Sequence, residues 1–201
     1  MELGKILKED SFNLTEDELK LFTNLISLKD KLRNFTRAKF FRVNPFYEDI
    51  FDWKERGAYL FGENSNITIY NSSTIVGDVK VGNNTWIGPF TSIDGTGGLE
   101  IGAYCALSAS VHILTHDTAK WCLSGGKCNY EYSPVKIGDC CFLGVGAVVT
   151  RGVTIGNNCL IGAGAVVTSN IPDFSIVLGV PGKIKGKVII DDNNVSLEYY
   201  K

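Results

Sequence analysis

Ile137-Gly-Asp-Cys-Cys-Phe-Leu143-Gly-Val-Gly-Ala-Val-Val149-Thr-Arg-Gly-Val-Thr-Ile155 places an aliphatic residue at every sixth position, and Ile161 and Val167 continue the count. Toward the N-terminus the same period runs through Ile69, Ile75, Val81, Ile87 and Ile93, then through Ile101, Leu107 and Ile113. Six matches neither the turn of a helix nor the alternation of a long strand. Glycine follows the aliphatic at Gly82, Gly88, Gly102, Gly138, Gly144, Gly156 and Gly162, a frequency that buried helices do not carry. Each hexad therefore reads as a short strand and a bend. Three hexads close one coil, and stacked coils bury a continuous core. The predicted class is an all-β solenoid, a parallel β-helix of about five coils.

Two residues before each aliphatic lies a second inward position, read as Thr85, Thr91, Cys105, Val111, Cys141, Ala147, Val153, Cys159 and Ala165. Three of the six cysteines fall there and are expected to pack as small apolar groups, with Cys140 pointing outward. The period breaks twice. Between Ile93 and Ile101, Asp94-Gly95-Thr96-Gly97-Gly98 widens a corner. Between Ile113 and Ile137 a longer interruption reads as an extruded loop, 117–134, whose Trp121, Tyr130 and Tyr132 are unlike a disordered linker.

Before the repeat, Thr15-Glu16-Asp17-Glu18 is a capping box that starts an amphipathic helix running to about Arg37. After it, Val180-Pro181-Gly182 turns into a lysine-rich tail that is expected to fray from Asp191. The organisation is thus a helical extension and connection over 1–66, the β-helix over 67–178 and a tail over 179–201.

With 201 residues, 44% of them hydrophobic, the chain can bury one proper core. No apolar run resembles a signal peptide or a membrane span, so a cytoplasmic location is expected, and the cysteines suit a reducing compartment. A net charge of −2 lacks the basic face that a nucleic-acid partner would require. Two histidines and no paired CxxC motifs predict no metal, since a catalytic zinc commonly takes three protein ligands.

The chain resembles the hexapeptide-repeat acyltransferases, the family of left-handed β-helix enzymes that includes galactoside, maltose, serine and nucleotide-sugar acetyltransferases. The resemblance spans about residues 67–187. It is carried by Ile155-Gly-Asn-Asn-Cys-Leu-Ile-Gly-Ala-Gly-Ala-Val-Val-Thr168, the Ile171-Pro172 exit and Gly179-Val-Pro-Gly-Lys183. It implies the left hand of the coil, where the general rule for parallel crossovers would give the right. It also implies a homotrimer with active sites between neighbouring solenoids, acetyl-CoA as donor, and direct transfer to a sugar or nucleotide-sugar, as in lipopolysaccharide or capsule pathways.

By this resemblance the catalytic base is His116, in Leu-Thr-His-Asp at the head of the loop, and a His is suited to accept a proton near neutral pH. His112 should point to solvent. Asp94 follows the inward Ile93, one coil below Ile113, so Asp94 and Asp117, the residue after His116, are the carboxylates placed to orient the imidazole or hold the acceptor; Asp94 can instead be a turn former and Asp117 a cap of the loop. The family's donor groove maps onto Gly144, Val145, Gly162, Ala163 and Thr168, with Lys183 and Lys185 toward the 3′-phosphate of CoA. Val145 departs from relatives that carry Ser. Trp86 and Trp121 are outward aromatics suited to stack on a sugar or base, or to pack in a subunit interface. The competing class is a non-catalytic scaffold, which would have no need of a loop that begins in His.

Overall fold

The structure, a computed structural model, describes residues 14–50, 52–192 and 194–200. It divides into two compact units, one ending at residue 50 and the other beginning at residue 51.

In the first unit the helix Glu16–Phe40 starts at the predicted capping box: the Thr15 amide donates to the Glu18 carboxylate at 2.8 Å and the Glu18 amide donates to Thr15 Oγ1 at 3.3 Å. Acidic residues fill its first turn and Arg37 and Lys39 its last, matching the helix dipole at both ends. It closes at Phe41, whose left-handed backbone returns its amide to Arg37 O. A second short helix, Phe46–Ile50, is anchored through Asp49, which accepts from Thr36 and Asn44.

The second unit opens with the helix Trp53–Phe61, capped by Asp52, and leads into the coils. This helix interrupts what the sequence reads as plain connection. Gly57 lies so close to the solenoid that a Cβ there would sit 2.0 Å from Ile67 O. Arg56 donates to Tyr70 O and Ser73 O, capping carbonyls at the corner of the first coil.

The solenoid is a left-handed parallel β-helix of about six turns. Its first face stacks strands Thr68–Ile69, Trp86–Ile87, Ala106–Leu107, Phe142–Leu143, Leu160–Ile161 and Ser175–Leu178, in that order and in register. The second face carries Ile75, Ile93, Ile113, Val149 and Val167 as inward residues, and the third carries Val81, Ile101, Ile137, Ile155 and Ile171. Five coils are complete and Ser175–Leu178 begins a sixth. Ile87, Leu107, Leu143 and Ile161 are wholly buried, as the six-residue period predicts, each burial contributing about 1.5–3 kcal/mol.

The glycines act differently from the reading above. Those that follow the aliphatics have ordinary backbone angles, and the left-handed corner residue comes two positions later, at Asn84, Phe90, Tyr104, Cys140, Gly146, Asn158 and Gly164. What those glycines supply is room: a Cβ on Gly82 would sit 2.4 Å from the Ala103 amide of the next coil. The inward thiols are also more than apolar filler, since Cys105 Sγ donates to Gly138 O, Cys141 Sγ to Gly156 O and Cys159 Sγ to Pro172 O.

The tail does not fray where expected. Lys183–Asp191 pairs antiparallel with Ser175–Leu178, and Asn194–Tyr199 pairs with Gly186–Asp191. Alternation explains it: Val188, Ile190, Val195 and Leu197 share one side of this hairpin and meet as cross-strand pairs.

Candidate active site

Three successive coils meet at the corner between the second and third faces, and each has a different length there. In the second coil the strand Ser92–Ile101 runs straight through the corner, with a register shift against Thr74–Val81. In the third the chain departs altogether, and His116–Asp117 pairs antiparallel with Glu131–Tyr132 across the short helix Ala119–Leu123. The root of this loop is tied where the Ser133 amide donates to Thr115 O at 2.9 Å and the Gly97 amide to Thr115 Oγ1 at 2.8 Å.

Asp94 is the hub. Its Oδ1 accepts from the Thr96 amide (3.0 Å) and hydroxyl (2.7 Å), an Asx turn, while Oδ2 accepts from the Thr115 amide (2.8 Å) and hydroxyl (3.1 Å) and from His116 Nδ1 (2.7 Å). The residue is 8% exposed. Burial by itself would raise its pKa, but the donors from Thr96, Thr115 and His116 outweigh it and hold the carboxyl well below the ordinary range. Asp94 is therefore a fixed negative charge at neutral pH.

That charge selects the imidazole tautomer. Nδ1, within reach of both Asp94 Oδ2 and Thr96 Oγ1, carries the proton and donates it, which leaves the Nε2 lone pair free of partners among the described residues. The ring stacks on Tyr132 with centroids 5.8 Å apart, and the side chain is 36% exposed. An imidazole held this way can take a proton at Nε2 while the carboxylate stabilises the imidazolium that forms.

The other predicted residues fall in three places. Asp117 is next to His116 but does not touch its ring; its carboxylate bonds Arg151 and the Ala119 amide. Trp121 lies on the loop helix, half-exposed and edge-on to Tyr130 at 5.5 Å. Trp86 is on the first face, edge-on to Tyr70, so within one chain it stands apart from His116. Gly144, Val145, Gly162 and Ala163 form the corner between the first and second faces, where the Gly164 amide bonds Val145 O at 2.8 Å. Thr168 follows Val167 out of the second face, and Lys183 and Lys185 are exposed on the strand after the Val180–Pro181 turn. His112 is exposed on the second face, as expected.

Sequence reasoning missed Thr96, Thr115, Tyr132 and Arg151. Thr96 carried a signal as the third residue of an Asp-Gly-Thr turn, and Tyr132 as an aromatic of the loop, whereas Thr115 and Arg151 carried none. Among the described residues no group of three or more His, Cys, Asp or Glu side chains could hold a metal, and no helix is long and apolar enough to cross a membrane.

Residues 134–169 match the hexapeptide repeat of succinyl-transferase. No curated protein matches the chain. Among solved structures, AntD, an N-acyltransferase from Bacillus cereus in complex with dTDP and 3-hydroxybutyryl-CoA, aligns over 68% of this chain and 81% of its own at 18% identity, with a TM-score of 0.53. A maltose O-acetyltransferase from Clostridium difficile 630 aligns over 83% of this chain and 89% of its own at 27% identity, TM-score 0.47. A hexapeptide-repeat-containing acetyltransferase from Vibrio cholerae covers 81% and 89% at 21% identity, TM-score 0.44.

Proposed function

We propose that this chain, a hexapeptide-repeat protein with the left-handed β-helix fold of the acyltransferases, moves an acetyl group from acetyl-CoA to a hydroxyl or amino group of a sugar or nucleotide-sugar. The observation that carries the reading is the 2.7 Å bond from His116 Nδ1 to the buried carboxylate of Asp94, with Nε2 free of partners among the described residues. A scaffold has no use for an oriented imidazole. In the reaction Nε2 takes the acceptor proton as the oxygen or nitrogen bonds to the thioester carbonyl, and the carbon–sulfur bond then breaks and CoA leaves with that proton returned to sulfur. AntD, which shares the fold, is an N-acyltransferase bound to dTDP and an acyl-CoA, in keeping with a nucleotide-sugar acceptor.

The donor lies along the corner built from Gly144, Val145, Gly162 and Ala163, where small residues leave the backbone accessible, with Thr168 at the far edge of the second face and Lys183 and Lys185 toward the phosphates. His116 projects from the opposite edge of the second face, so donor and base meet between neighbouring copies, which is the reason to read a homotrimer. Trp121 and Asp117 border the acceptor side. The assigned place of action is the cytoplasm, where acetyl-CoA is made, on the route to a surface polysaccharide.

Replacing His116 by Ala should lower turnover on a panel of amino and hydroxy sugars by roughly 10² to 10⁴ while calorimetric acetyl-CoA binding is unchanged, and Lys183→Ala should weaken that binding. Wild-type turnover in H116A removes the base. A folded wild type that binds no acetyl-CoA at millimolar donor would make the protein a scaffold.

A further inference from the structure

We propose that Arg151 is a positioning residue that holds the His116 imidazole in its working orientation by gripping both strands of the loop that carries it; the inference rests on His116 being the base. His116 is the first residue beyond the tied root of the loop, and its strand pairs with the returning strand over only two rungs, His116 with Tyr132 and Asp117 with Glu131. So short a ladder has little stability of its own. Its second rung, moreover, sets two carboxylates directly opposite each other, an arrangement that pushes antiparallel strands apart.

Arg151 converts that repulsion into a clamp. It sits in the next coil, at Thr150-Arg151-Gly152, and Gly152 is itself bonded to Ser133 O at the loop root. From there the guanidinium Nε donates to Asp117 Oδ2 and an NH2 donates to Glu131 Oε2 at 2.9 Å, one nitrogen to each strand. Lys120, from the loop helix, takes the other Glu131 oxygen at 2.8 Å. The two cations and two anions balance, and the Arg151 hydrogen bond holds Asp117 below its ordinary pKa. A planar fork with fixed donor directions suits a grip on two carboxylates where a single ammonium does not.

The rung that Arg151 holds is adjacent to the one that bears the site. Tyr132, the partner of His116, is also the ring on which the imidazole stacks. If the Asp117–Glu131 rung opens, the backbone of His116 and the surface beneath its ring both lose their support, while Asp94, held from its own coil and from Thr115, stays in place. Arg151 is bonded to the loop and not to the His116 ring, so it reaches the base through the loop backbone and reaches the acceptor side only through Asp117.

The test compares Arg151→Met, Arg151→Lys and the double variant R151M/E131Q, which removes the clamp and the facing charge together. The chain has only two histidines, so ring resonances in nitrogen-15 spectra are assigned with His112→Gln. In the wild type the His116 ring should report a single Nδ1–H tautomer. In R151M it should broaden or shift toward a tautomer mixture, kcat should fall roughly tenfold or more with the acetyl-CoA KM unchanged, and both readouts should recover in part in R151K and R151M/E131Q. Wild-type ring resonances and kcat in R151M would overturn the proposal. Should R151M not fold, salt titration of the wild type serves instead: about 1 M salt screens such exposed pairs and should reproduce the tautomer change, and its absence would be equally fatal. The spectra need no turnover, so a wild type without activity would sink the base assignment while leaving the positioning readable.

Discussion

The same coils build two corners on either side of the second face, and the two could hardly differ more. Between the first and second faces every corner from the second to the fifth coil has three residues: Gly88-Pro89-Phe90, Ser108-Ala109-Ser110, Gly144-Val145-Gly146 and Gly162-Ala163-Gly164. Their backbones bond coil to coil, Ser110 N to Pro89 O, Gly146 N to Ala109 O and Gly164 N to Val145 O. Between the second and third faces no two neighbouring coils through the site match in length, so the backbone ladder is left with gaps. Side chains complete it instead: Asp94 accepts from the Thr115 amide, and Thr115 Oγ1 accepts from the Gly97 amide. Backbone groups buried without a ladder must find partners. The irregular corner thereby acquires the buried side chains of Asp94 and Thr115, and these groups orient His116.

If the two corners are separable, removing the loop should abolish catalysis and spare the coils. Ser133 N already bonds Thr115 O, so two glycines can replace residues 116–132. Transfer should fall to background, a loss of roughly 10² to 10⁴, while the circular dichroism of the solenoid survives with a slightly lowered melting point. Loss of the β signal would show the corner to be structural after all.

Asp94→Asn probes how far that corner has been absorbed into the fold. The amide keeps the shape but loses charge-assisted bonds from Thr115 and His116, at a cost of about 2–3 kcal/mol at pH 7. The sign with pH follows from the depressed carboxyl. Its contribution is fully present above the unfolded value of about 3.9 and is lost as pH falls toward the lower folded value. Denaturation midpoints of wild type and D94N should thus stay apart from pH 7 to about pH 5 and converge only under stronger acid. A gap that closes already by pH 6 would mean that another group carries it.

The regular part was legible in sequence because its physics is one-dimensional. Ile87, Leu107, Leu143 and Ile161 announce themselves by period, since a slip of one residue would turn each outward. The length break before Ile137 likewise announced the loop, and the resemblance assigned His116 its role. Asp94 was placed beside the loop by counting coils. What stayed hidden was pairing across coils: Arg151, thirty-four residues from Asp117, looks like any surface arginine until the coils are stacked. Asp117 looked equal to Asp94 because sequence distance to His116 says nothing of direction. The helix Trp53–Phe61 and the C-terminal hairpin were missed for a different reason, their patterns being short and decided by packing against the end coils.

Glycine substitutions sharpen the contrast at smaller cost. A Cβ on Gly88 would sit 2.9 Å from Leu107 O and 3.0 Å from the Ala109 amide, so Gly88→Ala must push two coils apart and should cost about 1–3 kcal/mol of global stability. Gly125, in the loop, has a left-handed φ of 63° and open space around it. Its alanine is strained, yet the loop opens locally without unfolding the coils, so the global midpoint should move by less than about 0.5 kcal/mol. Chemical denaturation followed by tryptophan fluorescence separates the two, and equal losses would deny that loop and coils unfold independently.

The smallest effect tests whether the regular coils gain anything from polar groups. Thr85 and Thr91 occupy equivalent inward positions, one opening the first face and the other the second. Thr85 Oγ1 donates to Gly102 O at 2.9 Å and accepts the Cys105 amide at 3.2 Å, bridging two coils. Thr91 Oγ1 is buried with no partner among the described residues. A buried hydroxyl without a bond costs free energy that an isosteric methyl does not. Thr91→Val should therefore stabilise the protein by about 1 kcal/mol, and Thr85→Val should destabilise it by about the same amount, both read from urea midpoints at constant m-value. Were Thr91→Val destabilising, its hydroxyl would have a partner in solution, and the regular coils would depend on side-chain polar bonds as the irregular corner does.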